Sequence, residues 1–320
     1  MNMTFLHVNV REVDPALHAE LDQQLTATLV AGQLNGAYLA APEILDWENI
    51  HRFSYTQAGA GILYLELFLP EYIAILHHHG IAITPEVLKR HRVRVQYEGD
   101  DTLRDRWSVY ECLVWETTTG NSRFVLLDGL WFEVAPHYAA RVSQFVNSIS
   151  STSILFPDAA FGQGEGDYNE GVEQDNADVF AMLDRELFNP TDAGSAIEFC
   201  DLLSAAGHLI HVKKRSSSGK LSHLFSQGSV SSDLFLQDSG LRTAIHQRLI
   251  ELGKPAQAAL IPSARPAPPD YEVVYAIIAA QGQGAWPPPL PFFSAVNLMH
   301  HARRVQNLGF QVSLQYIRQV

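Results

Sequence analysis

Two short apolar runs joined by small residues decide the fold of the second half of this 320-residue chain. The first run is Ala196-Ile197-Glu198-Phe199-Cys200-Asp201-Leu202-Leu203, the turn contains Ala205-Ala206-Gly207, and the second run is Leu209-Ile210-His211-Val212-Lys213. Apolar runs of this length separated by a tight turn predict a β-hairpin. Because side chains alternate along a strand, His211 and Lys213 point to one face and Asp201 lies opposite them. The hairpin therefore places an acid, an imidazole and a lysine close together.

These three residue types suit the hydrolysis of a phosphodiester. Such a site needs a carboxylate to hold a hard cation such as Mg²⁺, and Asp201 supplies one. It also needs a positive group for the charge that develops on the phosphate, and Lys213 supplies that as a point charge. Each residue also has a structural interpretation, in which Asp201 caps a turn, His211 is a hydrogen-bonded core histidine and Lys213 is solvated.

The order of acid, short turn and x-x-Lys on the next strand resembles that of the PD-(D/E)xK nucleases. The departure is His211, which stands where those enzymes usually have Asp or Glu. As a ligand, an imidazole suits Mn²⁺ better than Mg²⁺. The resemblance also implies a carboxylate from a preceding helix, for which Glu165 is the first choice and Asp167 the second. The expected catalytic residues are thus Asp201, Lys213, Glu165 and His211, and the expected Mg²⁺ or Mn²⁺ ligands are Asp201, Glu165 and His211.

Contact with nucleic acid is expected to be focused on one small region. The net charge of -13 opposes broad adhesion to phosphates, yet four basic residues fall within eight positions of the chain from Lys213 onward. The run from Lys220 to Gln227 has helical periodicity and is predicted to end at Gly228. The candidate nucleic-acid contacts are Lys214, Arg215, Lys220, His223 and Gln227.

Length and composition predict two compact domains of class α/β (α+β), at residues 1–150 and 151–320. The first is expected to be a mixed α/β domain that contacts substrate or partner, and the second a restriction-endonuclease-like α/β core. In the first domain we predict helices over 16–29 and 136–149 and strands over 62–68, 92–97, 107–116 and 123–134. In the second we predict strands over 196–203, 209–214 and 271–279, with helices between them.

Other features of the sequence favour plain structural roles. The chain has no apolar run of about 18 residues and no leader-like start, so we expect a cytoplasmic protein without a membrane partner. Cys112 and Cys200 are expected to be reduced and buried, not paired or zinc-bound. A metal site at His77-His78-His79 and a polyproline ligand at Trp286-Pro287-Pro288-Pro289 are not favoured, and Glu43 and Asp46 suit turns or caps.

The chain also resembles an uncharacterised, sporadically distributed bacterial protein family found in mobile-element and phage-defence settings. The matching stretches are Ala41–Trp47, Glu165–Asn169, Glu198–Leu203, Ile210–Lys213, Leu221–Gly228 and Leu290–Leu298. The resemblance implies a defence-related setting, with another defence-system subunit or a second copy of the chain as partner, but no established reaction. His211 belongs to the family pattern.

Two functions therefore compete at this point. The first is a metal-dependent nuclease acting on DNA or RNA, and the second is a non-catalytic nucleic-acid-binding or sensor subunit with a degenerate nuclease-like core. A purely structural partner of another defence protein is a third possibility. An enzyme needs Glu165 or Asp167, Asp201 and Lys213 within a few ångströms of one point.

Overall fold

The computed structural model describes residues 9–34, 36–42, 50–56, 62–64, 67–97, 100, 102–190, 197–215, 218–279 and 290–320, with side chains 50, 51, 218–220 and 222 excepted. The fold is a mixture of helices and several antiparallel and mixed sheets, so the expected α+β class is confirmed. The chain divides into two compact units. The first comprises Met1–Arg141 with Ser216–Gly219, and the second comprises Val142–Arg215 with Lys220–Val320.

The first unit contains two antiparallel sheets. One has five strands in the order β1-β8-β7-β6-β2, and the other has three strands in the order β3-β4-β5. The strands are β1 (Val10–Glu12), β2 (Ala37–Leu39), β3 (Ile50–Tyr55), β4 (Arg92–Tyr97), β5 (Arg104–Ser108), β6 (Leu113–Thr119), β7 (Ser122–Leu127) and β8 (Leu130–Val134). Its helices are α1 (Pro15–Val30), α2 (Leu69–His78), α3 (Pro85–Arg90) and α4 (Val109–Cys112), and α5 (Pro136–Ser148) crosses the boundary between the units.

Three strand predictions in the first unit needed correction. The predicted strand 107–116 is interrupted by α4, which begins at a capping box formed by Ser108 and Glu111. The predicted strand 123–134 is a hairpin, because Asp128 and Gly129 both have positive φ and turn the chain. In the predicted strand 62–68, the described residues contribute only an isolated bridge from Tyr64 to Phe53. The predictions for α1, β4 and α5 are confirmed.

The second unit is built on one mixed sheet of five strands in the order β15-β14-β13-β12-β9. These strands are β9 (Phe180–Met182), β12 (Leu202–Ser204), β13 (His208–Lys214), β14 (Glu272–Ala279) and β15 (Gln311–Arg318), and β10 (Leu187–Phe188) pairs separately with β11 (Ile197–Glu198). β13, β14 and β15 are parallel, whereas β12 is antiparallel to both β9 and β13. The carboxyl ends of the parallel strands therefore lie at the sheet edge where β9 ends and β12 begins.

Helices cover this sheet on both faces. They are α6 (Glu165–Asp175), α7 (Ser218–Gln237), α8 (Ser239–Glu251), α9 (Pro255–Ala258) and α10 (Phe292–Asn307). Tyr168 and Val172 of α6 belong to one buried cluster with Ile210 and Val212 of β13. On the other face, Phe225 of α7 packs edge-on against a tyrosine of β14 at a centroid distance of 5.2 Å. Among the described residues, no helix is both long and apolar enough to span a membrane.

Two predictions for the second unit were wrong in detail. The run 196–203 is not one strand, because Ile197–Glu198 pairs with β10 while Leu202–Ser204 pairs with β13 and β9. The α7 helix continues through Gly228 instead of ending there, because this glycine is needed for packing and not for a turn. A Cβ added at Gly228 would lie 2.6 Å from a ring carbon of Tyr275. The predicted strands 209–214 and 271–279 are confirmed.

Candidate functional site

Glu165 and Lys213 form the centre of the site, although they are 48 residues apart in sequence. Glu165 is the first residue of α6, and Lys213 lies at the carboxyl end of β13. The Lys213 ammonium donates a hydrogen bond of 2.7 Å to Glu165 Oε2, and the Lys214 backbone N–H donates one of 2.9 Å to Glu165 Oε1. Both carboxylate oxygens of Glu165 therefore hold the end of β13 in place.

Asp201 lies opposite these groups, just before β12 begins. Its backbone N–H donates to Ile210 O at 2.9 Å, and its Oδ2 accepts a hydrogen bond of 2.5 Å from the Val212 backbone N–H. Asp201 is only 9% exposed. Burial raises the pKa of its carboxyl to about 8, with Asp184 and Glu198 adding to the rise and the Val212 N–H and Lys213 opposing it. A positive charge beside Asp201 would therefore stabilise its ionised form.

Lys213 carries the positive charge of this cluster. Burial alone would lower the pKa of its ammonium, but the carboxylate of Glu165, together with Asp201 and Glu198, raises it above its usual value. Lys213 therefore remains an ammonium at neutral pH. Its side chain is 24% exposed, so the charge is close to solvent but held by fixed partners.

Asp184 is a member of the cluster that the sequence did not single out. It follows β9, and the neighbouring Leu183 N–H donates to Asp201 O at 2.8 Å. Asp184 Oδ2 is buried and has no hydrogen-bond partner among the described residues. The carboxylate lies against the first turn of α6 beside a guanidinium, since a Cβ added at Gly166 would be 3.0 Å from Arg185 Nη2 and 3.1 Å from Asp184 Oδ2. Its signal in the sequence was weak, because β9 is only three residues long and precedes the hairpin by a long connection.

His211 lies in a different environment from the acids. Its ring is 2% exposed and stacks obliquely on Tyr275 of β14, with 6.2 Å between the ring centroids. Burial is the cause that lowers the pKa of His211 to about 4, and Nε2 has no hydrogen-bond partner among the described residues. This placement favours the core-histidine interpretation over a ligand in contact with the carboxylates.

The remaining candidates differ in exposure and in partners. Asp167 is exposed in the first turn of α6. Arg215 is exposed, its backbone N–H donates to Ile278 O, and its guanidinium acts on the Tyr316 hydroxyl. Gln227 donates a hydrogen bond of 2.9 Å to Glu198 Oε2, whereas His223 is exposed on α7. The side chain of Lys220 lies outside the described residues, so its assignment stays a prediction.

The carboxylates of the cluster are the groups available to a divalent cation. Within the described ranges, no group of three or more His, Cys, Asp or Glu side chains is arranged to hold a metal ion, and this includes His77-His78-His79. Mg²⁺, however, keeps several of its waters and is often bound by one or two carboxylates together with substrate phosphates. Asp201 Oδ1, for which no hydrogen bond to a described residue is found, and the unpaired oxygen of Asp184 fit that requirement.

The sequence as a whole was then compared with known proteins. A family model described as a family of unknown function, DUF6119, matches residues 6–318. The chain belongs to this family. No curated protein and no solved structure matches the chain. The expectation of an uncharacterised family is thus confirmed, whereas membership in DUF6119 leaves the reaction and the biological setting open.

Cys112 and Cys200 are both free and buried, as expected. Glu43, Asp46 and the stretch Trp286–Pro289 lie outside the described residues.

Proposed function

We propose that this chain is a metal-dependent phosphodiesterase acting on nucleic acid, with Glu165, Asp201 and Lys213 at its catalytic centre. One observation carries the proposal: the Lys213 ammonium is fixed by Glu165 and acts electrostatically on Asp201, so residues from α6, the start of β12 and the end of β13 meet. This is the combination of helix acid, hairpin acid and lysine expected from the PD-(D/E)xK resemblance.

Lys213 has the clearest role in this proposal. Its ammonium stays charged near neutral pH and is held in place by Glu165. A fixed positive charge stabilises the negative charge that develops on a phosphate during attack, without having to reorganise first. Glu165 thus acts as a positioning residue, because it holds both the Lys213 side chain and the backbone N–H of Lys214.

Asp201 would hold the Mg²⁺ or Mn²⁺ ion. When bound, such an ion polarises the phosphate and activates a water molecule at neutral pH. The buried carboxyl of Asp201 is anchored by the Val212 N–H, so its direction is set before any ligand arrives. His211 is assigned a structural role here because it packs against Tyr275.

The proposed setting follows from the family resemblance. We place the activity in bacterial defence against phages or mobile elements, in the cytoplasm, with another defence-system subunit or a second copy of the chain as partner. Nucleic acid would reach the site through the basic residues next to Lys213, of which Arg215 is exposed.

The alternative function is a non-catalytic nucleic-acid-binding or sensor subunit. A specific observation favours it: both oxygens of Glu165 and the ammonium of Lys213 already satisfy one another. In that case the cluster is a buried polar network that shapes the end of β13, and the basic residues bind nucleic acid without cutting it.

The test is cleavage of labelled single- and double-stranded DNA and RNA with Mg²⁺ or Mn²⁺. Lys213→Ala and Asp201→Asn should each lower the rate by roughly 100- to 1000-fold, as for loss of a group that stabilises transition-state charge. Thermal melts of each variant show whether it is folded.

A matched control is Lys254→Ala. Lys254 is another partly buried lysine of the second unit, and its ammonium lies 2.8 Å from Glu173 Oε1. This variant should lower the melting temperature but leave the rate per folded molecule unchanged. A folded Lys213→Ala protein that cuts as fast as the parent would exclude the mechanism, and a parent that binds nucleic acid but never cuts would support the sensor function.

A further inference from the structure

Arg185 has an unusual backbone conformation beside the candidate site. It is the third residue of a turn closed by the hydrogen bond from Glu186 N–H to Leu183 O at 3.1 Å, and its φ is 62°. Glycine and asparagine are favoured at a turn position of this kind, because most residues with a Cβ are strained there. An arginine kept in this conformation points to a role for its side chain.

The turn that carries Arg185 is fixed at both of its ends. Leu183 N–H donates to Asp201 O at 2.8 Å, and the Glu186 carboxylate accepts a hydrogen bond of 2.6 Å from Arg248 Nη2. β10 begins directly after the turn and pairs with β11. The backbone of Arg185 is therefore held close to Asp201 by contacts that do not involve its own side chain.

The guanidinium of Arg185 lies against the first turn of α6. A Cβ added at Gly166 would be 3.0 Å from Arg185 Nη2, so the absence of a side chain at this position leaves room for the guanidinium. The preceding residue of α6, Glu165, accepts a hydrogen bond of 2.7 Å from the Lys213 ammonium. Two cations thus lie at consecutive residues of one helix, one from β13 and the other from the turn after β9.

This guanidinium has no bonded counterion in the described part of the chain. Three other arginines of the second unit are paired with carboxylates, namely Arg248, Arg304 and Arg318. Arg185, in contrast, forms no ion pair or hydrogen bond with a described residue. The Asp184 carboxylate is close by, but its Oδ2 has no hydrogen-bond partner among those residues. Since Arg185 is also exposed, its five N–H donors are available to a ligand from solvent.

The phosphodiester backbone of a nucleic acid suits this arrangement better than a small free anion. A guanidinium binds phosphate oxygens through two parallel hydrogen bonds, whereas an ammonium acts as a point charge. The charge of Asp184 weakens the attraction of Arg185 for a single anion. A strand presents successive phosphates, so it can contact Lys213 and Arg185 together and gains affinity from each contact.

We propose that Arg185 binds the backbone of the nucleic acid at this site, at a phosphate next to the one that Lys213 contacts. The inference rests on the proposed function for the class of ligand. It adds a binding residue that the spacing of the hairpin did not indicate, because Arg185 comes from the connection between β9 and β10.

The experiment measures binding of a fluorescently labelled single-stranded DNA to the full chain by anisotropy, without divalent cations so that no strand is cut. Arg185→Ala should reduce the slope of log K against log[salt] by about 0.7, the value for one phosphate contact on a single strand, which is a roughly 5-fold rise in Kd at about 0.1 M salt. Arg185→Lys keeps the charge and should lose less. Arg265→Ala is the control, because it removes another exposed guanidinium of the second unit, from the loop before β14, and should change neither quantity.

A second variant, Arg185→Gly, separates ligand binding from a structural role of the guanidinium. Glycine adopts positive φ without strain, so this protein should melt at a higher temperature than Arg185→Ala and yet bind DNA as weakly. If both variants melt well below the parent, the guanidinium stabilises the turn and the inference is overturned.

The remaining outcomes also decide the matter. Unchanged DNA binding by folded Arg185→Ala, an equal loss in Arg265→Ala, or a parent that binds no DNA would each overturn the inference. DNA binding that depends on Arg185 in a parent that cuts nothing would uphold the inference while the proposed function fails. Cleavage with a KM that Arg185→Ala leaves unchanged would do the reverse.

Discussion

At the scale of single residues, His211 shows how burial changes the meaning of a motif position. In the sequence it occupies a ligand position, but its ring is enclosed and its pKa is lowered to about 4 by burial. A neutral, enclosed imidazole contributes packing to the core. Substitution of His211 should therefore change the stability of the protein and not the metal concentration that cleavage requires.

We predict that His211→Ala lowers the melting temperature without changing the Mn²⁺ or Mg²⁺ concentration needed for half-maximal cleavage. Loss of a buried ring leaves a cavity and should cost about 1–3 kcal/mol of unfolding free energy. Denaturant unfolding at pH 8 and metal titrations of the parent and the variant provide the measurement. A variant of unchanged stability that needs much more metal would make His211 a ligand after all.

The same residue predicts a pH dependence. Because the pKa of His211 is about 4 in the folded chain and 6.5 is its ordinary value, the unfolded chain binds the extra proton between these two values. The neutral His211 ring therefore contributes fully to the free energy of unfolding above about pH 6.5. This contribution is lost as the pH falls towards 4, by up to about 1.4 kcal/mol per pH unit. Urea unfolding from pH 7.5 to 4.5 should show a slope that His211→Ala reduces. Parallel curves for the two proteins would contradict the assignment.

Two helical glycines give a matched pair of predictions. A Cβ at Gly228 would meet the Tyr275 ring at 2.6 Å, whereas one at Gly171 would meet nothing within 4 Å. Gly228→Ala should therefore destabilise the fold by about 1–3 kcal/mol through overpacking, while Gly171→Ala should stabilise it by up to about 1 kcal/mol through helix propensity. Chemical unfolding of both variants measures the two changes in unfolding free energy. If both substitutions stabilise the protein, Gly228 is not closely packed against Tyr275.

At the scale of secondary-structure elements, a buried carboxylate joins four segments of the first unit. Asp22 of α1 accepts hydrogen bonds from Tyr110 of α4 at 2.5 Å, from Trp131 of β8 at 3.0 Å and from the Lys89 ammonium of α3 at 2.8 Å. Asp22 is 5% exposed. Burial raises its pKa, but the three donors outweigh this effect and the net pKa is lowered.

This network predicts an acid-dependent loss of stability in the first unit. The pKa of Asp22 in the folded chain lies below its ordinary value of 3.8. The ionised carboxylate therefore stabilises the folded chain above about pH 3.8, and this stabilisation is lost as the pH falls through the folded pKa. Asp22→Asn should destabilise the protein near neutral pH and flatten the pH dependence below about pH 4. Tryptophan fluorescence reports on the transition through Trp131. An Asp22→Asn variant as stable as the parent at pH 7 would show that this network does not stabilise the first unit.

At the scale of the whole molecule, net charge and local charge act in opposite directions. The chain carries a net charge of -13, which opposes broad electrostatic adhesion to nucleic acid. The basic residues of β4 are engaged within the first unit, where Arg94 lies 3.3 Å from Asp105 and Arg92 donates to Arg106 O. Arg215, next to the candidate site, is exposed.

We therefore predict that reversing Lys214 and Arg215 to Glu weakens nucleic-acid binding and flattens its dependence on salt. Each lost phosphate contact should reduce the slope of log K against log[salt] by about 1. The same reversal at Arg92 and Arg94 is the control and should change the slope little. Fluorescence anisotropy at several salt concentrations provides the measurement, and equal effects at both places would place the binding surface elsewhere.

Local patterns determined much of this protein. Alternation and helical spacing predicted β4, α1 and α5, because each buries one face whose periodicity is visible in the chain. Continuous apolar runs predicted β13 and β14, which are buried on both faces over most of their length. The hairpin pattern singled out Asp201 and Lys213, and the PD-(D/E)xK resemblance added Glu165. The Lys213 ammonium bonds to Glu165, and its charge acts on Asp201. Helical spacing also predicted the helical run from Lys220 to Gln227, in which Leu221, Leu224 and Phe225 are buried on α7.

Only the tertiary structure decided the rest, and the reason is that the deciding contacts join distant segments. The run 196–203 divides into two strands because its halves pair with different partners, β10 on one side and β13 on the other. Gly228 packs beneath Tyr275 instead of ending a helix. The backbone bond from Leu183 to Asp201 brings Asp184 close to the hairpin after a strand of only three residues. His211 packs against Tyr275 in the core. Burial and long-range pairing set the environment of each side chain, and the spacing of neighbouring residues in the sequence predicts neither of them.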